Sequence, residues 1–366
     1  MPVHRSWRDS MKKILAILLA ISCLAAILAG CGQIGQTGGT TAAATAAVTK
    51  AATTGPETTS SATAPEFPVT VQDASGKDVV IASVPQSIII TNIWAAEMVL
   101  EMVDASRIKG LSAWGDDPVL SATAELAGAV AERVSTQEPE KIVSLEPDLV
   151  VIDTFSDPDG SLSKTLTEAG ATVLQMNSPT NFTEIKAAIA TLAAAVGEFD
   201  AGQELIAAID AKLQLVAIKV SGLADAERLK VMYYEDYYDP SGSSAGMLAA
   251  YGAGSPFAAI AEAAGLINVC NAPNYSAVSK EKVIGEWQPD LLVVPAITYG
   301  SDFTVIDDQG KTIIQAIKAD ELMTTLPAVQ NGRVIALTEK YRGSTSQYMA
   351  DAVVELAAAA YPDLFK

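Results

Sequence analysis

Apolar residues recur at helical intervals through the middle of the chain, from Phe182 to Val220, and this pattern predicts amphipathic helices. Gly197 divides the pattern into two helices, and Asp200 is placed to cap the second one. The second helix would have roughly twenty residues and span about 30 Å at the 1.5 Å rise of an α-helix. A continuous helix fixes the separation of the parts it connects, which a flexible tether does not. We therefore predict a rigid helical spacer over residues 181–222.

The same sequence plan appears on both sides of this spacer. Upstream, residues 140–152 read EKIVSLEPDLVVI; downstream, residues 281–294 read EKVIGEWQPDLLVV. Each stretch combines a helical beginning, a Pro-Asp pair and a continuous apolar run that is typical of a buried strand. The repetition favours two lobes over an ordinary surface helix in a single domain.

Short apolar runs alternate with helical patterns in both halves. The hairpin is predicted over 69–73 and 78–81, and the other strands over 88–90, 108–111, 149–152, 172–176, 229–233, 267–269, 291–294 and 334–337. Helices are predicted over 95–103, 256–264, 280–286 and 346–360. This alternation indicates an α/β fold with two lobes, each a mainly parallel sheet flanked by helices. The predicted lobes are residues 67–180 and 223–366, with a ligand cleft between them.

The first 30 residues read as a targeting segment. Lys12 and Lys13 precede an apolar run that closes on Leu28-Ala29-Gly30-Cys31. This ending resembles the lipobox of bacterial lipoproteins, which implies a diacylglyceryl group on Cys31 and an anchor at the outer face of the cytoplasmic membrane. Residues 31–66 are rich in Thr and Ala and predict a disordered stalk. Translation could start at Met1 or Met11.

Charge and composition exclude several functions. The formal net charge is −19 over 366 residues, which argues against binding nucleic acid or an anionic lipid surface. The single histidine, His4, lies in the targeting segment, so a Ser-His-Asp triad or a histidine zinc site is excluded from the mature chain. Removal of Cys23 and lipidation of Cys31 would leave Cys270 alone, as a buried and inert thiol.

Aromatic side chains are concentrated just after predicted strands, where ligands gather in open α/β sheets. The candidate ligand-binding residues are Trp94, Trp114, Phe155, Tyr234, Tyr237, Tyr238, Tyr275, Tyr299 and Tyr341, together with Arg342. Aromatic residues make up only 6% of the chain, so this placement favours a flat or bulky ligand with apolar surface. The alternative is that some of them cap a core edge, as we expect for Tyr233.

In this order and behind a lipobox, five motifs resemble the ABC-transporter substrate-binding lipoproteins for iron-siderophores, haem and cobalamin. The motifs are residues 70–77, 140–150, 263–269, 279–291 and 326–334. This class of binding protein has a helical backbone between its lobes. The resemblance implies a monomeric binding protein, with no catalytic activity and no cofactor or metal of its own, that delivers its ligand to a permease and its ATPase.

In that family, one surface glutamate on each lobe docks into arginine pockets of the permease. Motif position assigns this role to Glu140 and Glu281. Glu281 stands one residue further from its Pro-Asp pair than Glu140 does, so Glu286 remains an alternative in the second lobe.

The identity of the ligand is less constrained by the sequence. Arg342 and Lys340 are the cations expected near the cleft, whereas Glu235, Asp236 and Asp239 make one rim acidic. This balance favours a large, weakly charged chelate such as cobalamin or haem over an anionic ferric siderophore. Haem would need a tyrosine as its axial ligand.

Two other functions are compatible with the sequence. One is a surface sensor or adhesin on the same fold. The other is an extracytoplasmic hydrolase that uses Asp153, Asp157 and Asp159 as acid and base, but these residues share one short loop, which is typical of turn chemistry.

Overall fold

The computed structural model describes residues 66–236, 248–299 and 304–366. The predicted targeting segment, Cys31, nearly all of the predicted stalk, and Tyr237, Tyr238 and Asp239 lie outside these ranges. In the described ranges, no helix is long and apolar enough to cross a membrane.

The first half of the chain forms a hairpin and a five-stranded parallel sheet. The hairpin strands are β1 (Val69–Gln72) and β2 (Asp78–Ile81), as predicted. The sheet strands are β3 (Ile88–Ile90), β4 (Ile108–Ser112), β5 (Glu132–Val134), β6 (Leu149–Asp153) and β7 (Thr172–Met176), in the spatial order β5-β4-β3-β6-β7. The helices are α1 (Ile93–Met102), α2 (Ala124–Ala127), α3 (Pro139–Ser144) and α4 (Ser161–Glu168). We call this sheet with its helices the N-terminal lobe.

The spacer is helical and is divided at the predicted glycine. Helix α5 (Phe182–Val196) ends at Gly197, whose φ of 77° is left-handed, and helix α6 (Phe199–Val220) follows. Helix α6 begins before Asp200, which therefore lies in the first turn and does not provide the cap. The two helices pack closely, since a Cβ on Gly202 would lie 2.4 Å from the Cβ of Ala193.

The second half contains a four-stranded parallel sheet, which with its surrounding elements we call the C-terminal lobe. Its strands are β8 (Lys230–Tyr233), β11 (Ile267–Asn268), β13 (Leu291–Val294) and β16 (Val334–Ala336), in the order β11-β8-β13-β16. An antiparallel group pairs β9 (Glu235–Asp236), β10 (Leu248–Tyr251) and β12 (Tyr275–Ala277), and a hairpin pairs β14 (Ile297–Tyr299) with β15 (Val305–Asp307).

Several helices accompany these strands in the second half. They are α7 (Pro256–Ala263), α8 (Lys280–Lys282), α9 (Lys311–Ala319), α10 (Pro327–Gln330), α11 (Glu339–Arg342) and α12 (Met349–Ala360). Helix α8 continues directly into a π-helical turn, Val283–Trp287.

The repeated Pro-Asp pair has the same structural role in both lobes. The Asp148 carboxylate accepts hydrogen bonds from the backbone N–H groups of Gln86 (2.7 Å) and Ser87 (3.0 Å), just before β3. The Asp290 carboxylate accepts one from the N–H of Lys230 at 2.9 Å, at the start of β8. Each aspartate therefore holds two adjacent parallel strands in register, which explains why the motif occurs twice.

One hydrophobic core cluster of the described residues continues through both lobes. It includes Ile88 and Val151 of the first sheet, Ile209 of the spacer, and Val231 and Val353 of the second half. A side-chain ion pair of 2.7 Å between Lys212 on α6 and Asp351 on α12 joins the spacer to the last helix. The lobes are thus fastened to a common helical backbone.

Candidate functional site

Three predicted aromatic residues follow adjacent strands of the first sheet. Trp114 follows β4 and is 48% exposed, and Phe155 follows β6 and is 71% exposed. Trp94 follows β3, between them, but is buried in the core, and its indole Nε1 has no hydrogen-bond partner in the described structure. Large exposed aromatics at the carboxyl edge of a parallel sheet are available to a ligand. Trp94, being buried, belongs to the core and does not present its ring at this edge.

The second sheet carries a buried arginine beneath a group of tyrosines. The Arg342 guanidinium carbon lies 4.8 Å from the ring centroid of Tyr233 and 5.9 Å from that of Tyr251. Arg342 also forms an ion pair with Glu339, and both side chains are largely buried. Tyr233 and Tyr251 meet edge to face, with centroids 5.1 Å apart. This arrangement combines cation–π contact with a charge-assisted hydrogen bond.

The charge state of this group is fixed. Burial alone would lower the pKa of Arg342, but the electrostatic interactions around it, which include that with the Glu339 carboxylate, raise it well above its usual value. Burial also raises the pKa of Tyr233 well above its usual value. The guanidinium is therefore always charged and the phenol is neutral, so the site keeps its electrostatics across the physiological pH range.

The tyrosine group extends towards the surface. Tyr275 lies with its ring centroid 4.8 Å from that of Tyr251, and its hydroxyl donates to the Glu235 carboxylate at 3.1 Å. Tyr275 and Tyr299 are 39% and 51% exposed, respectively. These two side chains present aromatic surface and hydroxyl groups where the sheet ends.

Helix α11 brings Tyr341 and Arg342 to the same edge, directly after β16. The Tyr341 ring is stacked on that of Tyr348, with centroids 6.4 Å apart and an interplanar angle of 18°. The Lys340 ammonium lies 5.8 Å from the Tyr341 ring centroid.

The structure separates Tyr234 from this group. Tyr234 is 1% exposed and packs in the other core cluster of the C-terminal lobe, with its hydroxyl 3.5 Å from the Asp236 carboxylate. Sequence reasoning missed Tyr251, because it lies on the antiparallel strand β10 and not after a strand of the parallel sheet. The signal that could have found it is its position at the end of the short apolar run 248–250.

Glu140 and Glu281 occupy equivalent positions in the two lobes. Each is the second residue of its helix, α3 or α8, and each is exposed. Glu281 is eight residues before Pro289, whereas Glu140 is seven before Pro147. A π-helical turn accommodates one extra residue, and the turn at Val283–Trp287 lies between Glu281 and Pro289. Glu286 lies inside that turn, at the opposite end of the helical segment.

Helix α3 places Glu140 at the carboxyl edge of the first sheet. Helix α3 connects β5 to β6, which are both strands of the parallel sheet, so it runs back against the strands and begins at their carboxyl edge. Neighbouring lysines are paired elsewhere: Lys141 with Glu132 at 3.1 Å, and Lys280 with Asp320 at 2.6 Å. Hydrogen bonds from its own backbone N–H and from Ser279 lower the pKa of Glu281, which keeps this carboxylate ionised.

The three aspartates of the hydrolase alternative serve local turns. Asp153 accepts from the N–H of Ser156 at 2.7 Å, and Asp159 accepts from the hydroxyl of Ser161 at 2.7 Å. Asp157 is buried and accepts from the N–H of Leu162 at 2.9 Å, at the start of α4. Their carboxylate oxygens are thus used in capping the backbone.

Two further features concern the Cys270 thiol and the arrangement of metal-ligating side chains. Cys270 is buried, and burial raises the pKa of its thiol, which makes it a poor nucleophile. Within the described ranges, no group of three or more His, Cys, Asp or Glu side chains is arranged to hold a metal ion.

Comparison with known proteins gives one family match. Residues 94–341 match the family profile described as "Periplasmic binding protein". An uncharacterised ABC transporter substrate-binding lipoprotein of Bacillus subtilis, YvrC, is 24% identical over 357 residues, which cover 97% of this chain and 100% of the relative. A cobalamin-binding protein of Halobacterium salinarum is 24% identical over 299 residues, covering 80% and 73%.

Solved structures share the fold. The haem-binding protein HmuT has a TM-score of 0.60 and 20% identity, covering 83% of this chain and 93% of its own. The Haemophilus influenzae molybdate-binding protein MolA has a TM-score of 0.63 and 18% identity, covering 81% and 92%. At this identity the likeness establishes a two-lobed fold and not a ligand.

Proposed function

Because this chain belongs to the periplasmic binding protein family, we propose that it is the extracytoplasmic binding component of an ABC importer, which captures a bulky metal chelate and delivers it to the permease. The observation that carries this proposal is the pairing of exposed aromatics on one sheet edge, Trp114 and Phe155, with the Arg342–tyrosine group on the other. The relatives named for ABC transport and for cobalamin binding support it.

The same geometry suggests the class of ligand. The buried cation of Arg342 is compensated by Glu339, and Glu235 adds negative charge beside Tyr275. A site with little net positive charge and much aromatic surface suits a large chelate of low net charge, such as cobalamin or haem. A tyrosine such as Tyr275 or Tyr299 provides the hydroxyl that haem iron would need. A strongly anionic ferric siderophore fits the site less well.

Docking to the permease would use one carboxylate on each lobe. Glu140 and Glu281 share the same helical position, and the π-helical turn between Glu281 and Pro289 supports the choice of Glu281 over Glu286. Two exposed carboxylates on separate lobes can each form charge-assisted, bidentate contacts with arginine. Such contacts would orient both lobes on the permease at once.

The remaining features of the proposal come from the sequence. A lipid on Cys31 would anchor a monomeric protein, residues 31–66 would lift the lobes from the membrane, and residues 1–30 would be removed. The lobe limits at residues 67–180, 181–222 and 223–366 belong to the same proposal. We propose no catalytic role, since binding and release are sufficient for uptake.

The ligand proposal is tested by titrating the purified full chain separately with cyanocobalamin and haemin. Binding is followed by native mass spectrometry, absorbance and tryptophan fluorescence. We expect one of the two to bind at one per chain and to quench the fluorescence, because Trp114 lies at the site. Failure of both chelates to bind would contradict the proposal.

Matched variants locate the site. Phe155→Ala and Tyr299→Ala should each weaken binding by about 1–3 kcal/mol, the scale for burying one large side chain. The control is Leu215→Ala, because Leu215 is an exposed apolar residue, 49% exposed, on the spacer helix α6. An equal loss in the control would show that the effect is not specific to the cleft.

A further inference from the structure

The fully buried carboxyl group of Glu97 lies where the two lobes meet. Glu97 is on α1 of the N-terminal lobe and is 0% exposed. Its Oε2 is hydrogen-bonded to the hydroxyl groups of Ser344 and of Ser346, the latter at 2.6 Å, and its Oε1 accepts from the N–H of Ala122 at 2.8 Å. The Gln347 side-chain amide donates to the backbone carbonyl of Glu97 at 2.9 Å. The carboxyl group thus joins segments that are far apart in sequence.

The candidate ligand site has two sides, which we call the Trp114 wall and the Arg342 wall. Each segment that is hydrogen-bonded to Glu97 leads to one of these walls. Ser344 and Ser346 come directly after Arg342, at the end of α11. Ala122 lies in the loop that follows Trp114. Helix α1 itself begins after β3, with Trp94 in its first turn. A displacement of the Glu97 side chain would therefore be transmitted to both walls.

The hydrogen-bond geometry requires three protons. Glu97 Oε2, Ser344 Oγ and Ser346 Oγ form a triangle, and the two hydroxyl oxygens are 2.7 Å apart. Three short oxygen–oxygen contacts need one proton each, and the two serines supply two. A neutral carboxyl group supplies the third, since a proton on Oε2 is donated to one serine hydroxyl while Oε2 accepts from the other. Burial, the largest influence, raises the pKa of Glu97, in agreement with a proton on this group.

The charged and titratable groups around this network leave the proton on Glu97. Glu101, one turn further along α1, accepts a hydrogen bond from the hydroxyl of Tyr348. Burial and that hydrogen bond raise the pKa of Tyr348. Tyr348 stays neutral, and neither side chain supplies a positive charge that would favour ionisation of Glu97.

We propose that Glu97 is a positioning residue of the ligand site, which, as a neutral carboxylic acid, holds residues 344–347 against the N-terminal lobe and so sets the distance between the Trp114 and Arg342 walls. The consequence for ligand affinity rests on the proposed function. The positioning itself rests on the hydrogen bonds alone and is measured without a ligand.

The test compares Glu97→Gln with Glu97→Ala in the full chain. The amide of Gln can accept from the Ala122 N–H and donate to a serine hydroxyl, so it replaces a neutral carboxyl group and not a carboxylate. We expect hydrogen–deuterium exchange of the amides at 339–348 to be unchanged in Glu97→Gln and at least about tenfold faster in Glu97→Ala, the effect of losing about 1.4 kcal/mol of local stability. The affinity for whichever of cyanocobalamin or haemin binds the unmodified protein should likewise be unchanged in Glu97→Gln and reduced in Glu97→Ala.

The matched control is Glu198→Ala. Glu198 pairs with Arg107 at 2.6 Å, just before β4 and hence at the opposite edge of the sheet. This variant should lower the unfolding temperature without changing exchange at 339–348 or chelate affinity. If Glu97→Ala does not fold, the Ser344→Ala, Ser346→Ala double variant removes the same triangle from the other side.

Each result decides a separate point. Unchanged exchange in the folded Glu97→Ala variant, or in the double serine variant, would overturn the positioning role. Equal losses in Glu97→Gln and Glu97→Ala, or an infrared spectrum without a protonated-carboxyl C=O band that Glu97→Gln abolishes, would overturn the neutral state. Failure of both chelates to bind the unmodified protein would refute the proposed function and leave the exchange result standing.

Discussion

Arg342 is a buried charge whose removal should destabilise the protein. Its guanidinium and the Glu339 carboxylate are 11% and 8% exposed, so neither charge is well hydrated when its partner is removed. Arg342→Ala should reduce the free energy of unfolding by about 3–5 kcal/mol, the usual cost of breaking a buried pair. Chemical denaturation measures this loss.

The comparison variant is Arg133→Ala. Arg133 and Asp116 also form an ion pair, but their side chains are 24% and 45% exposed. Removal of a more hydrated pair should cost about 1 kcal/mol or less. Similar losses in the two variants would mean that the Arg342 guanidinium is hydrated in solution and not buried.

Glu97 should give the protein a distinctive pH dependence. Its pKa in the folded protein is raised by burial, whereas in the unfolded chain it returns to its usual value near 4.5. The folded state therefore binds the proton more tightly, and this stabilisation is fully present below the unfolded pKa and is lost as pH rises through the folded pKa. Glu97→Gln removes this dependence.

The difference in unfolding temperature between Glu97→Gln and the unmodified protein tests that sign. It should shift in favour of the variant as pH rises above about 4.5 and become constant once Glu97 would be ionised in the folded state. Calorimetry at a series of pH values measures it. A shift in the opposite direction would mean that Glu97 is stabilised as a carboxylate.

At the scale of the elements, the two spacer helices depend on a close contact that a single methyl group would disrupt. A Cβ on Gly202 would lie 2.4 Å from that of Ala193, so Gly202→Ala should destabilise the protein by about 1–3 kcal/mol, as overpacking does. Gly285 lies in the π-helical turn with open space around it. Gly285→Ala should instead stabilise the protein, by about 0.4–1 kcal/mol.

Both variants replace a helical glycine with alanine, so helix propensity alone predicts the same sign for each. Opposite shifts in the denaturation midpoint are expected, because packing dominates at Gly202. If Gly202→Ala were stabilising, α5 and α6 would have to be further apart than the structure shows.

The proposed docking role of Glu140 and Glu281 allows a prediction about transport. Glu140→Ala combined with Glu281→Ala should abolish uptake of the chelate while leaving its affinity unchanged, because both carboxylates lie on exposed helix N-termini and outside the tyrosine group. Glu140→Ala combined with Glu286→Ala is the control and should retain the transport of the Glu140→Ala single variant. Cellular uptake of the chelate and titration of the purified proteins are measured together. Normal uptake by the first double variant would contradict the assignment.

The central strands of both lobes were predictable because their side chains are buried on both faces. Strands 88–90 and 291–294 agree with the structure residue for residue. The edge strand β5 was missed, because Glu132 and Arg133 are polar and only Val134 is buried. The strand pairs β9–β10–β12 and β14–β15 were missed for a related reason: their short strands form by pairing and carry little hydrophobic pattern of their own.

The candidate site was predictable only as a location. Positions after strands identified Trp114, Phe155, Tyr299 and Arg342, since the carboxyl edge follows from the alternation of strands and helices. The rotation of each side chain was not predictable, so Trp94 and Tyr234 were placed with the exposed aromatics although both are buried in cores. The triangle at Glu97 was not predictable, because nothing in the local sequence reveals a partner 247 positions away.

For the whole molecule, the shared core predicts that the two lobes unfold together. The cluster that includes Ile88 in the first sheet also includes Val231 in the second and Val353 in the last helix. Trp287 is buried in the C-terminal lobe, so a Trp287→Phe variant is used, in which Trp94 and Trp114 report on the N-terminal lobe, whereas Tyr233, Tyr251 and Tyr275 report on the C-terminal one. Thermal unfolding followed by tryptophan fluorescence and by the near-ultraviolet circular dichroism of tyrosine should give one midpoint. Two midpoints would show that the lobes are independently stable.

The bonds between Glu97 and residues 344–347 also affect the order in which the chain can fold. They join positions separated by 247 to 250 residues, and the core that begins at Val69 is completed only by Ala360. Closing such distant contacts is slow and must wait until the last helix has been synthesised. A nascent chain with such long-range contacts cannot complete its packing early. It would therefore still be unfolded, and able to pass through a translocation channel, when it reached one.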